Sequence, residues 1–146
     1  MPVEIRWFIR TSLCFFAASL LLGAGMVAWR HLLGGAVPWP FVIVHTHLAL
    51  VGGMLLMIVG VALWMFPLDR GRFPEARGRY EPAVARACYF LLTGGLLLRA
   101  VVEPFAADAP GGLPGILLVI AATSQAAGFL TFLFSIWTRV RAVGTA

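Results

Sequence analysis

There is no lysine in this chain, and little charge of any kind. Charged residues make up 12% of the 146 positions, against about a quarter in a soluble globular domain, and 61% are hydrophobic. That balance excludes an ordinary water-soluble fold and places the chain in the membrane class. The net charge of +5 rests on arginine alone. The arginines follow a topological pattern rather than forming a basic patch, so no nucleic-acid partner is expected. Cys14 and Cys88 are the only cysteines and form no CxxC, which leaves a disulfide or zinc site without support. Both are read as packing residues. The absence of CxxCH excludes covalent c-type haem attachment. No P-loop, GxSxG or HExxH occurs. No acidic pair stands inside an apolar run, so a proton relay has no carrier.

What is present is long apolar sequence. A spanning helix needs about 20 mostly apolar residues. Four runs qualify, at roughly 11–29, 41–66, 83–102 and 113–137. The first is too long for a signal-peptide h-region and no clean cleavage site follows it, so it is read as a span. Glycine and proline punctuate the intervals: Gly34, Gly35, Pro38 and Pro40; then Pro67, Gly71, Pro74, Gly78 and Pro82; then Pro104, Pro110, Gly111, Gly112 and Pro114. The expectation is one all-α, four-helix integral membrane domain covering 1–146, with the lipid bilayer as its first partner.

Arginine sets the expected orientation. Arg6 and Arg10 precede the first run. Arg70, Arg72, Arg77 and Arg79 lie between the second and third, Arg86 at the start of the third is counted with that loop, and Arg139 and Arg141 follow the fourth. In a four-span chain these share one side, which the positive-inside rule makes cytoplasmic, together with both termini. Trp7, Trp29, Trp39, Trp64 and Trp137 fall near run ends, as interfacial tryptophans do.

Only three histidines exist, and His45 and His47 stand together early in the second run. An ionisable residue inside a membrane segment is costly and reads first as functional. At about 100° per residue, positions i and i+2 of an α-helix point roughly 200° apart, so this pair cannot chelate one ion but can serve two sites on opposite flanks. His45 is six residues past Trp39, roughly 9 Å along a helix, and therefore shallow. The plain alternative is that both rings are interhelical hydrogen-bonding groups. The functional one is metal or haem ligation, since imidazole suits haem iron and copper. His31, at the end of the first run, is read as interfacial, with capping of the site from the first span and copper binding the alternatives.

Other polar residues are fewer. Arg99 stands well inside the third run and can pair with Glu103 at i+4. Arg99 or Arg30 can also meet the carboxylates of a cofactor, which suits a bidentate guanidinium. Gly52, Gly53, Gly60, Gly94, Gly95 and Gly128 allow close approach, by helices first and by a flat macrocycle second. Met54, Met57 and Met65 are read as gap-fillers. Thr123, Ser124 and Gln125 are read as interhelical glue, with a supporting role for a ligand histidine the alternative.

The run from His45-Thr46-His47-Leu48 to Gly52-Gly53, continuing to Ala62-Leu63-Trp64-Met65-Phe66-Pro67, resembles the haem-ligand helix of haem–copper oxidase subunit I proteins. The cbb3-type oxidase, nitric-oxide-reductase and NnrS-like branches, and small stand-alone four-span relatives, look most similar. Leu97-Leu98-Arg99-Ala100 and the stretch from Gln125 to Trp137 fit the same resemblance. It implies that this chain is one four-helix arc of a twelve-helix ring, so that a homotrimer rebuilds the ring. It also implies non-covalent haem b between protomers, with His45 from one and His47 from the next as axial ligands and Arg99 and Arg30 as cofactor-binding residues. Location in the cytoplasmic membrane of a prokaryote follows.

The departures from that pattern bear on function. Copper-site histidines beyond the pair, a placeable tyrosine partner and proton-channel carboxylates are absent, so oxygen or nitric oxide reduction by this chain alone is not expected. The expected function is haem binding for electron transfer, haem handling or gas sensing, with a redox partner. The alternatives are a copper-handling membrane protein using His31, His45 and His47, with Met26, and a non-catalytic assembly subunit of a respiratory complex.

Overall fold

The computed structural model describes residues 1–66, 80–106 and 112–137. Every element among them is helical: α1 (Val3–Leu32), α2 (Trp39–His47), a π-helical segment (Leu48–Leu55), α3 (Leu56–Met65), α4 (Pro82–Ala106) and α5 (Leu113–Trp137). In hydrocarbon every backbone polar group must be satisfied within the segment, which leaves helices as the solution for such apolar runs. Four helices are long and apolar enough to cross a membrane, the second being the continuous α2–π–α3 unit, Trp39–Met65. Lengths of 25 to 30 residues exceed a hydrocarbon core of about 30 Å at 1.5 Å per residue, so tilt or projecting ends take up the excess.

Helix ends follow the punctuation in most places. Gly34, with φ of 68°, reverses the chain after α1, a backbone region glycine enters without a Cβ penalty. Pro40 and Pro82 sit in first turns, where the missing N–H has no partner to lose. Several expectations need correction. Arg86, counted with the second loop, lies within α4. α1 begins at Val3 and so carries Glu4, Arg6 and Arg10 within the helix rather than ahead of it. Pro104 lies inside α4, not in the following loop; only two residues of helix remain beyond it. Of the loop arginines, Arg70, Arg72, Arg77, Arg79, Arg139 and Arg141 lie outside the described residues.

Side-chain pairs set the register. Phe8 and Ile9 face Gly60, Phe15 faces Gly52, Phe16 faces Gly53 and His45 faces Gly23, so α1 runs antiparallel to the second span. Thr11 bonds Tyr89 (2.7 Å) and Glu4 meets Arg86, so α1 and α4 run parallel. α4 and α5 form the most closely packed pair, with Gly95 against Ala121 and Gln125 and Gly128 against Leu91 and Leu92. The core joining them holds Phe8, Phe15, Leu48, Leu56, Leu63, Leu92 and Leu96. Cys88 belongs to that core, but Cys14 is exposed and not a core packing residue of the bundle, contrary to expectation.

Candidate functional site

His45 and His47 sit in the last turn of α2, which stays α-helical through His47. The condition for their roughly 200° divergence is therefore met. The π-helical segment begins at the next residue and contains Gly52 and Gly53. Such segments are rare and often adjoin functional positions. Periodicity in an all-apolar run carries no signal for one.

Both rings are held by the same nitrogen. His45 Nδ1 lies 2.9 Å from the main-chain O of Ser19 and 3.1 Å from its Oγ. His47 Nδ1 lies 2.9 Å from the main-chain O of Ile43. A carbonyl only accepts, so each Nδ1 carries the proton and donates it. The Ser19 hydroxyl donates in turn to the main-chain O of His45, at 3.1 Å. In the neutral ring Nε2 is then the basic nitrogen, and no described residue bonds it in either histidine. A ligand histidine is ordinarily arranged this way, one N–H bonded away and the other nitrogen offered. Both rings are half-buried. The expected interhelical hydrogen bond exists for His45 alone; His47 bonds its own helix.

Arg99 and Glu103 form the expected ion pair, with Nε 3.0 Å from Oε2. The N–H does not point at the carboxylate, so both atoms stay buried without a hydrogen bond, as does Gln125 Nε2. Leu96 packs over Gly52 on the antiparallel α4. Counting outward from that contact puts Arg99 level with Ala49, and Glu103 level with His45, within one band of the bundle. Arg30 and His31 are exposed in the last turn of α1. His31 lies eight residues beyond Gly23, against which His45 packs, or roughly 12 Å along the axis. The three histidines therefore do not converge. Among the described residues no group of three or more His, Cys, Asp or Glu is placed to hold a metal ion.

An apolar cleft of about 380 Å³ opens beside this band. It lies between Leu22, Gly25, Met26 and Trp29 of α1 and Pro38 and Phe41 at the entry to α2. Phe41 stands one turn before His45. Most of the glycines read as places for a macrocycle are filled within the bundle: Phe15, Phe16 and Leu96 occupy the space over Gly52 and Gly53, and Gln125 and Ala121 that over Gly95. Gly94 faces open space. Ser124 donates to Leu91 O (2.9 Å) and so is interhelical glue, while Thr123 bonds its own helix. Ser19 and Gly23 carry no motif visible in sequence; only the α1–α2 register reveals them.

Comparison with protein-family models, curated proteins and solved structures gives no match to the chain.

Proposed function

We propose that this protein is a haem-b-binding integral membrane protein that exchanges electrons, or senses or handles the cofactor, rather than turning over a substrate. The observation that carries the reading is the paired Nδ1 geometry: two membrane-embedded imidazoles, each donating Nδ1–H to a main-chain carbonyl and each offering Nε2. Neutral imidazole in that arrangement fits the axial ligand set of haem iron. The divergence of the two rings favours ligation of two different irons, each shared with a neighbouring protomer. The filled glycine positions support the same placement, because a flat cofactor finds no slot inside one bundle at Gly52, Gly53 or Gly95. A closed ring of identical subunits is the usual way such a heterologous interface terminates, and the resemblance to haem–copper oxidase subunit I makes that ring a homotrimer.

The haem would supply one-electron chemistry. The chain's residues bind and orient it: His45 and His47 as ligands, and Arg99 and Arg30 as cations near its carboxylates. Arg99 can serve while paired, since a guanidinium has several N–H donors and the ion pair with Glu103 is made at Nε. Histidine ligands supplied by two protomers would leave no open position for a substrate, which favours electron transfer over substrate reduction. The arginine distribution supports an orientation with the N- and C-termini cytoplasmic and the histidine band near the opposite face, and the resemblance supports the cytoplasmic membrane of a prokaryote as its location. Copper handling is the weaker reading, because copper needs several donors at one point and the histidines are spread along and around the helices.

Titration of haem b into the cofactor-free, detergent-solubilised protein tests the proposal. A six-coordinate low-spin spectrum in a trimeric particle is expected. A five-coordinate spectrum contradicts ligation by two histidines, and no uptake contradicts haem binding altogether.

A further inference from the structure

The two histidines are alike in chemistry but not in how they are held. His47 is tied to Ile43 O, four residues back on its own helix. That bond travels with α2 and fixes the ring to nothing else. His45 is tied across the bundle to Ser19 on α1, by Nδ1 to the main-chain O and Oγ of Ser19 and by the Ser19 hydroxyl to His45 O.

Reaching Ser19 O from the side needs a gap in α1. That carbonyl already belongs to the helical ladder, and the side chain that would cover it from above is that of residue i+4, because each Cβ tilts toward the helix N-terminus. Position i+4 is Gly23. A Cβ built there would lie 2.9 Å from His45 Cε1 and 3.3 Å from Nδ1, closer than real contacts allow for the first. Ser19 and Gly23 thus form a notch that accepts one imidazole edge. Gly25, two residues on, faces open space, so a Cβ there meets nothing within 4 Å.

We infer that Ser19 and Gly23 are positioning residues that seat His45 as the fixed ligand, and that His47 is the exchangeable one. The inference rests on the haem-binding reading for what is ligated, but the seat itself is a property of α1 and α2. It also assigns a ligand class to the exchangeable position: small neutral donors, such as a diatomic gas or free imidazole, take the place of His47 and not of His45.

Two readouts test it. In the haem-free protein, nitrogen NMR of the histidine rings reports the tautomer. Nδ1–H is expected for His45 in wild type and Gly25→Ala, and a mixture of tautomers in Gly23→Ala. With haem b added, Gly23→Ala is expected to bind roughly 10–100-fold more weakly, the usual loss when a ligand histidine forfeits its outer partner, while Gly25→Ala stays unchanged. His45→Ala should weaken binding at least tenfold more than His47→Ala, and free imidazole should restore a six-coordinate spectrum to His47→Ala. If Gly23→Ala does not fold, Ser19→Ala, which keeps the carbonyl and removes the hydroxyl, serves instead, with an expected loss of roughly two- to tenfold. Gly23→Ala or its substitute matching Gly25→Ala in tautomer and affinity overturns the seat, and a larger loss at His47 than at His45 overturns the asymmetry. A wild type that takes up no haem ends the functional reading and the ligand asymmetry that rests on it, while the seat is still judged by the tautomer, which is measured without haem.

Discussion

The two ends of the bundle treat buried polar groups differently. At the end carrying the N-terminus, Glu4 is 7% exposed and has a partner on each oxygen: Tyr80 donates to its Oε2 at 2.9 Å and Arg86 forms an ion pair 3.6 Å from Oε1. Glu4 also lies in the first turn of α1, where the helix dipole favours a carboxylate. One layer in, Thr11 and Tyr89 share a 2.7 Å bond. At the other end, Arg99 Nε and Glu103 Oε2 are close but not hydrogen-bonded, Gln125 Nε2 nearer the middle has no partner, and no described residue bonds Nε2 of His45 or His47. Native interiors leave few buried polar groups unpaired. Pairing at one end closes the structure. The other end leaves donors and acceptors unused among the described residues, and these are the groups on which the haem-binding proposal rests.

Substitutions can break that contrast, beginning with the largest effect. The double variant His45→Ala, His47→Ala should lose haem binding by more than roughly 100-fold, beyond the usual loss of an outer partner alone, with helical content in circular dichroism unchanged. Next comes Arg99→Met, which strands the Glu103 carboxylate. It should cost about 2–3 kcal/mol in denaturant unfolding, less than a fully buried pair because the Arg99 side chain is 22% exposed. Adding Glu103→Met should recover most of that loss; if it does not, the pair is not the reason for the cost.

Tyr80→Phe acts at the closed end, removing a bond from a fully buried phenol to a carboxylate. The expected cost is about 1–2 kcal/mol with no change in any cofactor spectrum. It carries a pH signature. Burial, then the Glu4 carboxylate, raise the Tyr80 phenol above its ordinary value of 10.0. A raised phenol gives stability that is present below the unfolded value and lost above it, since only the unfolded chain then releases the proton. Wild type should therefore lose stability as pH climbs past about 10, and Tyr80→Phe should flatten that slope. The smallest effect belongs to Gly25→Ala, within about 0.5 kcal/mol of wild type, because its Cβ enters open space.

The same contrast separates what could be read from the sequence. Four apolar runs give four helices because a chain in lipid has few other choices. His45 and His47 stand out because ionisable residues are scarce in those runs, and Arg99 with Glu103 because their spacing is local. The remainder depends on register between helices far apart in the chain. Nothing local says that Ser19 and Gly23 meet His45, or that Tyr80 reaches Glu4 across 76 positions. The π-helical segment hides inside uniform hydrophobicity, and Pro104 reads as a breaker although the helix passes through it.

The central claim is that the open end receives iron through His45 and His47. The most direct measurement is the absorption spectrum and iron content of the protein purified from haem-replete cells, beside the double histidine variant. The account predicts a Soret band with the sharp visible bands of low-spin haem, and iron in step with them, in wild type only. A colourless, iron-free wild type, or a variant that keeps both colour and iron, contradicts it.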